Sequence, residues 1–338
     1  MPPAQLTPLC LAAIEDELRQ VVGSGPPDLR EYYAMLEYHL GWDADAHRQA
    51  SGSQLASSGK RLRPLLCLLS CAAAGGEWER ALPMAAGLEL LHNFSLIHDD
   101  IQDGSPLRRG RPTVWRKWGQ AQAINAGDAL FTLAHLAPHG LPQRGLDPGL
   151  TLRALAMFDH TCLVLTQGQF LDMTFEQRPR VGVGEYLAMI EAKTAALIAA
   201  STGLGALLAG ADEDRRAHFE QYGRSLGLAF QIQDDLLGIW GDPAVTGKSA
   251  ANDLEKRKKS LPVVYGLEHS EDFARAYAGP HTPEASVLEM AQTLETLGAR
   301  DYAQRLAATL TAEAGQHLDH ASPHGVAGAE LRALTEQL

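Results

Sequence analysis

The sequence predicts an all-α fold. Alternating runs of β-branched residues bounded by turns, the usual signal of strands, are scarce along its 338 residues. Alanine- and leucine-rich stretches dominate instead, and both residue types have high helix propensity. Hydrophobic residues make up 45% of the chain, near the globular share of about 45–50%, so these helices can bury a core.

Helix boundaries follow from apolar periodicity and from the glycines and prolines that interrupt it. No low-complexity linker divides the chain, so a single domain over residues 1–338 is expected. Loops are predicted at 23–27, 138–148, 178–184 and 241–253, and residues 316–338 are expected to fray. The predicted helices span 5–22, 28–50, 59–75, 78–103, 119–137, 147–173, 183–209, 212–238, 259–266, 284–298 and 299–315.

Composition narrows the class of protein. The net charge of −12 argues against a nucleic-acid partner, because such proteins usually carry a basic face. The N-terminus lacks a basic segment followed by an apolar one, so no signal peptide is expected. No run of about 18 apolar residues is present, which predicts no membrane span and no stable membrane insertion. The four cysteines lack zinc-site spacing and are expected to be buried thiols. These features together favour a cytoplasmic enzyme.

Three aspartates end the apolar helix predicted at 78–103. Asp99 and Asp103 are four residues apart and project from one helix face, with Asp100 about 100° away. Like charges at this spacing destabilise a helix by roughly 0.2–0.5 kcal/mol, and the dipole at a helix C-terminus also disfavours anions. The two penalties predict a compensating cation, and magnesium is usually held by one or two carboxylates plus substrate phosphates. The alternative is a solvated acidic helix end.

A basic segment follows this cluster directly. Residues 104–118 carry Arg108, Arg109, Arg111, Arg116 and Lys117. Such a concentration of positive charge in an acidic protein predicts an anion site, although a solvated loop would have the same composition.

A second acidic cluster repeats the arrangement. Asp234 and Asp235 follow another apolar helix, but Gly238 stands where a third carboxylate would share the face of Asp234. A basic run at 256–259 comes next. Two acidic clusters, each followed by basic residues, suit a diphosphate held by bridging metals with lysine and arginine on its outer oxygens. Two unrelated solvated helix ends are the alternative.

Other polar residues interrupt apolar helix faces. Lys60 and Arg63 share a face near a helix N-terminus, which favours anions, although a surface pair would look the same. His92 lies two turns before Asp99, where a core histidine is the usual case. Lysine is seldom buried without a partner, so the interior Lys193 needs a reason. The neighbouring Thr194, and Gln231 one turn before the second cluster, are the remaining polar candidates.

Taken together, these segments resemble the trans-isoprenyl diphosphate synthase family, also called polyprenyl synthetases. The resemblance implies the isoprenoid synthase fold, a large helical bundle around a deep central cavity, and a homodimer. The matching strings span about 200 residues in the family's order. They are GKRLRP at 59–64, LLHNFSLIHDDIQD at 90–103, LRRGRPT at 107–113, INAGDAL at 124–130, KTAAL at 193–197, FQIQDD at 230–235 and TGKSAANDLEKRKKSLP at 246–262.

The resemblance also implies a reaction and a cofactor. The bond between an allylic group and its diphosphate would break while three magnesium ions per site stabilise the departing diphosphate. The double bond of isopentenyl diphosphate would then attack the resulting cation in an apolar cavity. Asp99 and Asp103 would bind two ions with Asp100 in support, and Asp234, with Asp235 beside it, would hold the third. The allylic diphosphate would be contacted by Arg108, Lys193, Lys248 and Lys258. Isopentenyl diphosphate would be bound by Lys60, Arg63, His92 and Arg109. The cation would be faced by Thr194 and Gln231.

Two further features of the sequence bear on the second aspartate motif and on the length of the product. The family's second motif commonly has a third aspartate where this chain has Gly238. Phe94 lies five residues before Asp99, next to the small Ser95, and DDIQD carries no insertion. This pattern resembles geranylgeranyl diphosphate synthases and predicts a C20 product. A terpene cyclase or lyase on the same fold, and a regulatory subunit of a heteromeric synthase, are the alternatives.

Overall fold

The computed structural model describes residues 5–43, 61–242, 252–279 and 284–337, and the elements below are numbered over these residues. They form two compact units whose segments alternate along the chain. The first unit comprises residues 1–156, 204–212 and 323–330, and the second comprises 157–203, 213–322 and 331–338. The single domain over residues 1–338 therefore stays a prediction.

The first unit is built around one buried helix. Every residue in the first half of α4, from Leu82 to Leu91, is buried, and the helix packs against α1, α3 and α6. Gly87 permits the close approach of α6, since a Cβ atom there would lie 2.8 Å from the Ala134 carbonyl oxygen. The helices that begin in this unit are α1 (Leu6–Val22), α2 (Arg30–Leu40), α3 (Leu62–Ala73), α4 (Leu82–Gln102), α5 (Val114–Trp118), α6 (Gln120–Leu136), α7 (Pro148–Gln177) and α16 (Gly325–Glu336).

A small antiparallel hairpin follows α4. Strands β1 (Leu107–Arg108) and β2 (Arg111–Pro112) are the only strands in the described residues. The two residues that join them, Arg109 and Gly110, have φ angles of 53° and 74°. Positive φ at both central positions matches the twist of a two-residue hairpin. Gly110 adopts it readily, whereas Arg109 pays a steric cost.

The second unit is centred on the long helix α10. This helix packs along α15 and against a π-helical turn, Glu191–Ala195, which joins α8 to α9. Gly227 allows the contact, because a Cβ atom there would lie 2.7 Å from the Ala195 Cα atom. The helices here are α8 (Val183–Ile190), α9 (Ala196–Leu208, which continues into the first unit), α10 (Glu213–Trp240), α11 (Asn252–Glu255), α12 (Leu261–His269), α13 (Glu271–Ala278), α14 (Glu284–Thr296) and α15 (Ala299–His320).

The all-α class is confirmed, and three differences from the predicted elements stand out. Helix α2 ends at Leu40, because Gly41 takes a left-handed conformation with φ 79°. The described residues 316–337 do not fray, since α15 continues to His320 and α16 follows it. Helix α13 was not predicted, and the Ser270 side chain caps it by accepting from the Phe273 N–H at 3.1 Å. All four cysteines are buried, as expected.

One helical stretch bears on the membrane prediction. Residues Val183–Leu208 are long and apolar enough to cross a membrane by length and composition, a candidate that the sequence analysis did not name. The most apolar window of this stretch is 67% buried inside the protein. A core helix of a soluble fold passes the same test, and Glu191 and Lys193 interrupt this one.

Candidate active site

The first aspartate cluster divides into outward and inward side chains. Helix α4 ends at Gln102, and the Asp103 N–H closes the last turn by donating to the Asp99 carbonyl at 2.8 Å. The Asp103 side chain is exposed and the Asp99 side chain is 23% exposed. Asp100 is only 2% exposed. The i, i+4 pair therefore lies on the more exposed side of the helix, while the middle aspartate faces the protein.

Asp100 holds Arg108 in place. The Arg108 Nε atom donates to both carboxylate oxygens of Asp100 at 2.9 Å, and Nη2 lies 3.4 Å from the Asp99 Oδ2 atom. Burial raises the pKa of Asp100, and the hydrogen bond from Arg108 opposes that shift. Both oxygens of Asp100 thus contact a guanidinium group, a placement that favours orienting Arg108 over binding metal.

A cationic pocket lies beside this pair in the first unit. Burial lowers the pKa of His92 and of His39 well below the ordinary value, and nearby arginines add to the effect. Burial also lowers the pKa of Arg63 to about 10. Within the described residues, the Arg63 Nε and His39 Nε2 atoms are buried without a hydrogen-bond partner. Buried donors in a positive field are what an anionic ligand would satisfy.

The hairpin turn brings Arg109 to the same pocket. Burial lowers the pKa of Arg109, and its positive charge contributes to the lowered pKa of both His39 and His92. A small cleft of about 30 Å³ is lined by His39, Asp100, Arg108, Arg109 and Arg111, among others. Left-handed backbone at a residue other than glycine is often found at functional sites, where the surroundings enforce it.

A buried ion pair that sequence reasoning missed supports the pocket. Arg61 and Glu89 are each 3% exposed and lie 2.8 Å apart. Arg61 also donates to the Leu40 carbonyl at 3.1 Å, and Asn93 donates to Glu89 at 2.9 Å. A glutamate inside the apolar run 82–91 was the available signal, since an acidic residue is almost never fully buried unless paired.

Aromatic side chains pack one turn before the first cluster. The Phe94 ring lies 4.8 Å from the Phe131 ring of α6 and 4.7 Å from the His98 ring. Gly127 makes room for His98, because a Cβ atom at that position would lie 2.2 Å from the imidazole. Phe94, the residue that the sequence singled out, is therefore packed against a second phenylalanine.

The second aspartate cluster also splits. Asp234 is exposed, whereas Asp235 is 4% exposed and accepts three hydrogen bonds. The donors are the Tyr186 hydroxyl at 2.5 Å, the Leu261 N–H at 2.9 Å and the Gln231 Nε2 atom at 3.1 Å. Burial raises the pKa of Asp235 to about 7 against these hydrogen bonds. This placement does not support the expectation that Asp235 binds metal.

Gly238 has a neighbour that accounts for its missing side chain. A Cβ atom on Gly238 would lie 2.1 Å from the Oδ2 atom of Asp253. Gly238 follows Asp234 by one helical turn, so a carboxylate from α11 occupies the place where the family's third aspartate would begin. The loop predicted at 241–253 therefore ends in a helix that brings an acidic group back to α10.

Lys193 and Thr194 sit on the π-helical turn. Such turns are rare and frequently mark functional sites. The Lys193 ammonium lies 2.5 Å from the Asp172 carboxylate of α7, and Gly168 lets α7 approach the turn, since its Cβ atom would lie 2.3 Å from the Lys193 nitrogen. The Thr194 hydroxyl donates to the Gln231 Oε1 atom at 2.9 Å. Asp172 was missed from the sequence, although it is an acidic residue in a largely apolar helix.

Three lysines remain among the residues that the sequence proposed for substrate binding. Lys60 and Lys248 lie outside the described residues. Lys258 is exposed, and its N–H donates to the Asp253 carbonyl at 2.9 Å. Across the described parts of the chain, no three histidine, cysteine or acidic side chains form a ready-made metal site. Oxygen donors from one or two carboxylates nonetheless suit magnesium, whose other ligands are typically water and substrate phosphates.

Comparison with known proteins identifies relatives of this chain. Residues 45–295 match the family model described as polyprenyl synthetase. The chain is 43% identical over 311 residues to a geranylgeranyl diphosphate synthase of Mycobacterium tuberculosis, covering 90% of this chain and 87% of the relative. It is 43% identical over 271 residues to a (2E,6E)-farnesyl diphosphate synthase of the same species, covering 78% and 70%.

Solved structures agree with these relatives. A polyprenyl synthetase from Streptomyces coelicolor superposes with a TM-score of 0.86 at 36% identity, covering 98% of this chain and 97% of the other. A geranylgeranyl pyrophosphate synthetase from Pyrococcus horikoshii superposes with a TM-score of 0.84 at 32% identity, covering 96% and 94%. The isoprenoid synthase fold expected from the sequence is thereby confirmed.

Proposed function

The chain belongs to the polyprenyl synthetase family of prenyltransferases, and on that premise we propose that it lengthens an allylic diphosphate with isopentenyl diphosphate to give geranylgeranyl diphosphate. The observation that carries the proposal lies in the first unit. There the outward pair Asp99 and Asp103 ends α4 beside Arg108, and a pocket of buried cationic donors adjoins them. A metal-binding pair next to an anion pocket suits two diphosphates.

Magnesium fits the carboxylates that face outward. Asp99 and Asp103 offer oxygen donors from one helix face, and the exposed Asp234 offers another in the second unit. We assign two ions to the first pair and a third to Asp234. When bound, magnesium neutralises the charge that develops on the departing diphosphate. Asp100 contributes by orienting Arg108 toward the same phosphate oxygens.

The pocket beside the cluster takes isopentenyl diphosphate. Arg63, whose Nε atom is buried without a hydrogen-bond partner, and Arg109 are cations whose charge a diphosphate offsets, and burial keeps the pKa of His92 low. Lys60 is assigned here from the resemblance. A second anion pocket of this kind distinguishes chain elongation from cyclisation, because a cyclase or lyase uses a single diphosphate substrate.

The second unit supplies charge and dipoles for the allylic half of the reaction. Lys193 neutralises the allylic diphosphate together with Arg108, Lys248 and Lys258, and Asp172 holds the Lys193 ammonium before substrate binds. The oxygen dipoles of Thr194 and Gln231 stabilise the allylic cation. The proton lost after carbon–carbon bond formation passes to the released diphosphate.

The product length follows from the aromatic pair below the metals. Phe94 packs against Phe131, and together they block a chain that grows away from Asp99. Relatives named geranylgeranyl diphosphate synthase, from Mycobacterium tuberculosis and Methanosarcina mazei, are 43% and 38% identical to this chain. A C20 product is proposed on the aromatic pair, and because a farnesyl diphosphate synthase is also 43% identical to the chain, the C15 product is the next candidate.

We further propose a cytoplasmic homodimer without membrane insertion. Helix α7 exposes large apolar side chains at Leu163, Phe170 and Met173, which are 55%, 68% and 41% exposed. Spacings of seven and three residues place all three on one face of the helix. An apolar stripe of this kind on a helix is typical of an interface. Phe170→Asp is expected to give a monomer in sedimentation, whereas an unchanged mass would exclude this face.

One assay tests the main proposal. The purified protein is incubated with magnesium, isopentenyl diphosphate and each allylic diphosphate in turn, and the products are measured by chain length. Geranylgeranyl diphosphate is expected, with no product when isopentenyl diphosphate is omitted. Product from an allylic diphosphate alone would indicate a cyclase or lyase. An absence of turnover with every pair would contradict the proposal and favour a regulatory subunit.

A further inference from the structure

The two aspartates of the second cluster are neighbours in sequence but lie in different environments. Asp234 is exposed, and Asp235 is buried with its oxygens turned into the second unit. The Oδ2 atom of Asp235 accepts from the Tyr186 hydroxyl and from the Leu261 N–H, and Oδ1 accepts from Gln231. Three structural elements therefore meet at this one carboxylate: α8, α10 and the first residue of α12.

The hydrogen bonds have a single direction. All three neighbours donate to Asp235, and Gln231 does so through its Nε2 group. The Gln231 Oε1 atom is then turned to Thr194, whose hydroxyl donates to it at 2.9 Å. Because the Thr194 hydrogen points to Gln231, the remaining lone pairs of the hydroxyl oxygen are directed elsewhere. Asp235 thus fixes which atom of the Gln231 amide faces Thr194.

We propose that Asp235 is a positioning residue which, with Tyr186, fixes the Gln231 and Thr194 oxygens toward the allylic cation, and that it does not bind magnesium. The inference rests on the proposed function, in which those two oxygens stabilise the cation. Asp235 touches neither substrate nor metal in this assignment and acts through Gln231. Tyr186 of α8 takes part in the site as the hydroxyl donor that holds the Asp235 carboxylate.

Fold stability alone gives little reason for this arrangement. A buried carboxylate is costly even when donors satisfy it, and an apolar residue of similar size commonly packs a helix interface at least as well. The surrounding core is apolar, with Ile232, Leu236 and Leu261 buried against α8. A hydrogen-bond network in which every group has a partner is therefore better explained by the orientation that it gives to the Gln231 amide.

The first test separates metal binding from positioning. Asp235→Asn keeps the size of the side chain but replaces one acceptor by a donor, so the Gln231 amide turns over and presents Nε2 to Thr194. We expect kcat to fall roughly 10²-fold, as for a small misplacement of catalytic groups, with KM and the half-saturating magnesium concentration unchanged. Asp234→Asn is expected to raise the magnesium concentration required.

A binding measurement makes the same distinction without turnover. Magnesium is titrated calorimetrically into the protein with saturating inorganic diphosphate. Equal magnesium affinity in wild type and Asp235→Asn, with weaker affinity in Asp234→Asn, supports the positioning role. Equal losses in both variants would overturn it. If the wild type binds magnesium and diphosphate but forms no product, the proposed function is contradicted. The magnesium affinities of the variants still show whether Asp235 binds the metal.

A double-mutant cycle tests the path from Tyr186 to Thr194. Tyr186→Phe removes one hydroxyl and is expected to lower kcat roughly tenfold, the effect of one lost hydrogen bond. In a background that lacks both positioned oxygens, Thr194→Val with Gln231→Leu, the same change is expected to cost nothing further, because both groups that Tyr186 positions are gone. Losses that multiply would show that Tyr186 acts only on the fold, and would sink the proposal.

A matched control comes from another buried tyrosine of the same unit. The Tyr222 hydroxyl on α10 donates to the Leu331 carbonyl at 3.3 Å, away from the Asp235 network. Tyr222→Phe is expected to lower the free energy of unfolding without lowering kcat. A kcat loss in Tyr222→Phe equal to that in Tyr186→Phe would indicate a general effect of buried hydroxyls and contradict the specific role.

Discussion

Asp99 and Asp103 lie on the more exposed side of their helix, whereas Asp100 and Asp235 are buried. The sequence identified both aspartate clusters and Lys193, because charge in an apolar helix is conspicuous. It could not tell that Asp100 and Asp235 turn inward, since one residue of helix rotation, about 100°, decides the matter and depends on packing. It also missed Tyr186 and Asp172, whose importance lies only in the residues they contact.

The outward position of Asp99 leads to a direct prediction. Asp99→Ala removes one carboxylate of the i, i+4 pair and is expected to lower turnover at least roughly 10³-fold, because electrostatic stabilisation of the departing diphosphate is lost. Steady-state rates across a magnesium series check this. Asp301→Asn, an exposed aspartate on α15, is the control and is expected to behave as wild type.

Gly238 gives a prediction that the sequence alone would reverse. Restoring the family's aspartate with Gly238→Asp is expected to damage the site, because the new Cβ atom would lie 2.1 Å from the Asp253 carboxylate. We expect a destabilisation of about 1–3 kcal/mol, as for other overpacked positions, together with lower activity. Adding Asp253→Ser is expected to recover stability in urea unfolding. A fully active single variant would contradict the close approach.

At the scale of elements, the long amphipathic helices were predictable and the short ones were not. Helices α1, α4 and α10 were found close to their predicted places because their apolar periodicity is sustained. The hairpin at 107–112 was seen only as a polar interruption, since two-residue strands carry no periodic signal. The π-helical turn has no sequence signature either, yet it is the element that carries Lys193 and Thr194.

The hairpin turn supports a prediction that separates stability from function. Arg109 has φ 53°, a conformation that costs most residues other than glycine roughly 1–2 kcal/mol. Arg109→Gly is therefore expected to unfold at the same or a higher urea concentration than wild type. Its KM for isopentenyl diphosphate is expected to rise roughly 10- to 100-fold through the lost charged hydrogen bonds. A stable variant with unchanged KM would remove Arg109 from the pocket.

The contact between α4 and α6 determines a prediction on product length. Phe94→Ala is expected to lengthen the product, and the double change with Phe131→Ala to lengthen it further, because the two rings form one block. Chromatography of the dephosphorylated products measures this. Phe94→Tyr, which keeps the ring, is expected to keep the length. Unchanged chain length in both alanine variants would place the block elsewhere.

For the whole molecule, the sequence predicted the fold class and the family but not the electrostatic contrast inside it. The net charge is −12, and yet the first unit encloses a pocket where burial, together with a positive field, lowers the pKa of two histidines. Formal charge is additive along a sequence, whereas the field at one point depends on which side chains fold toward it. Arg61, Arg63, Arg108 and Arg109 come from two separate segments, so their joint effect on His39 and His92 required the structure.

This contrast predicts how stability depends on pH. His39 and His92 have a lowered pKa in the folded state, so the unfolded chain takes up protons that the folded chain refuses as pH falls below about 6.5. Their contribution is complete above that pH and is lost below it, by roughly 1 kcal/mol per imidazole at pH 5.5. Asp235 acts with the opposite sign, because its pKa is raised to about 7 and its contribution declines as pH rises toward that value. The comparison is therefore made between proteins. Urea unfolding at pH 7.5 and 5.5 is expected to show a smaller acid loss of stability in the double variant His39→Gln, His92→Gln than in wild type. Equal losses would mean that neither imidazole is held neutral by burial and the arginines around it.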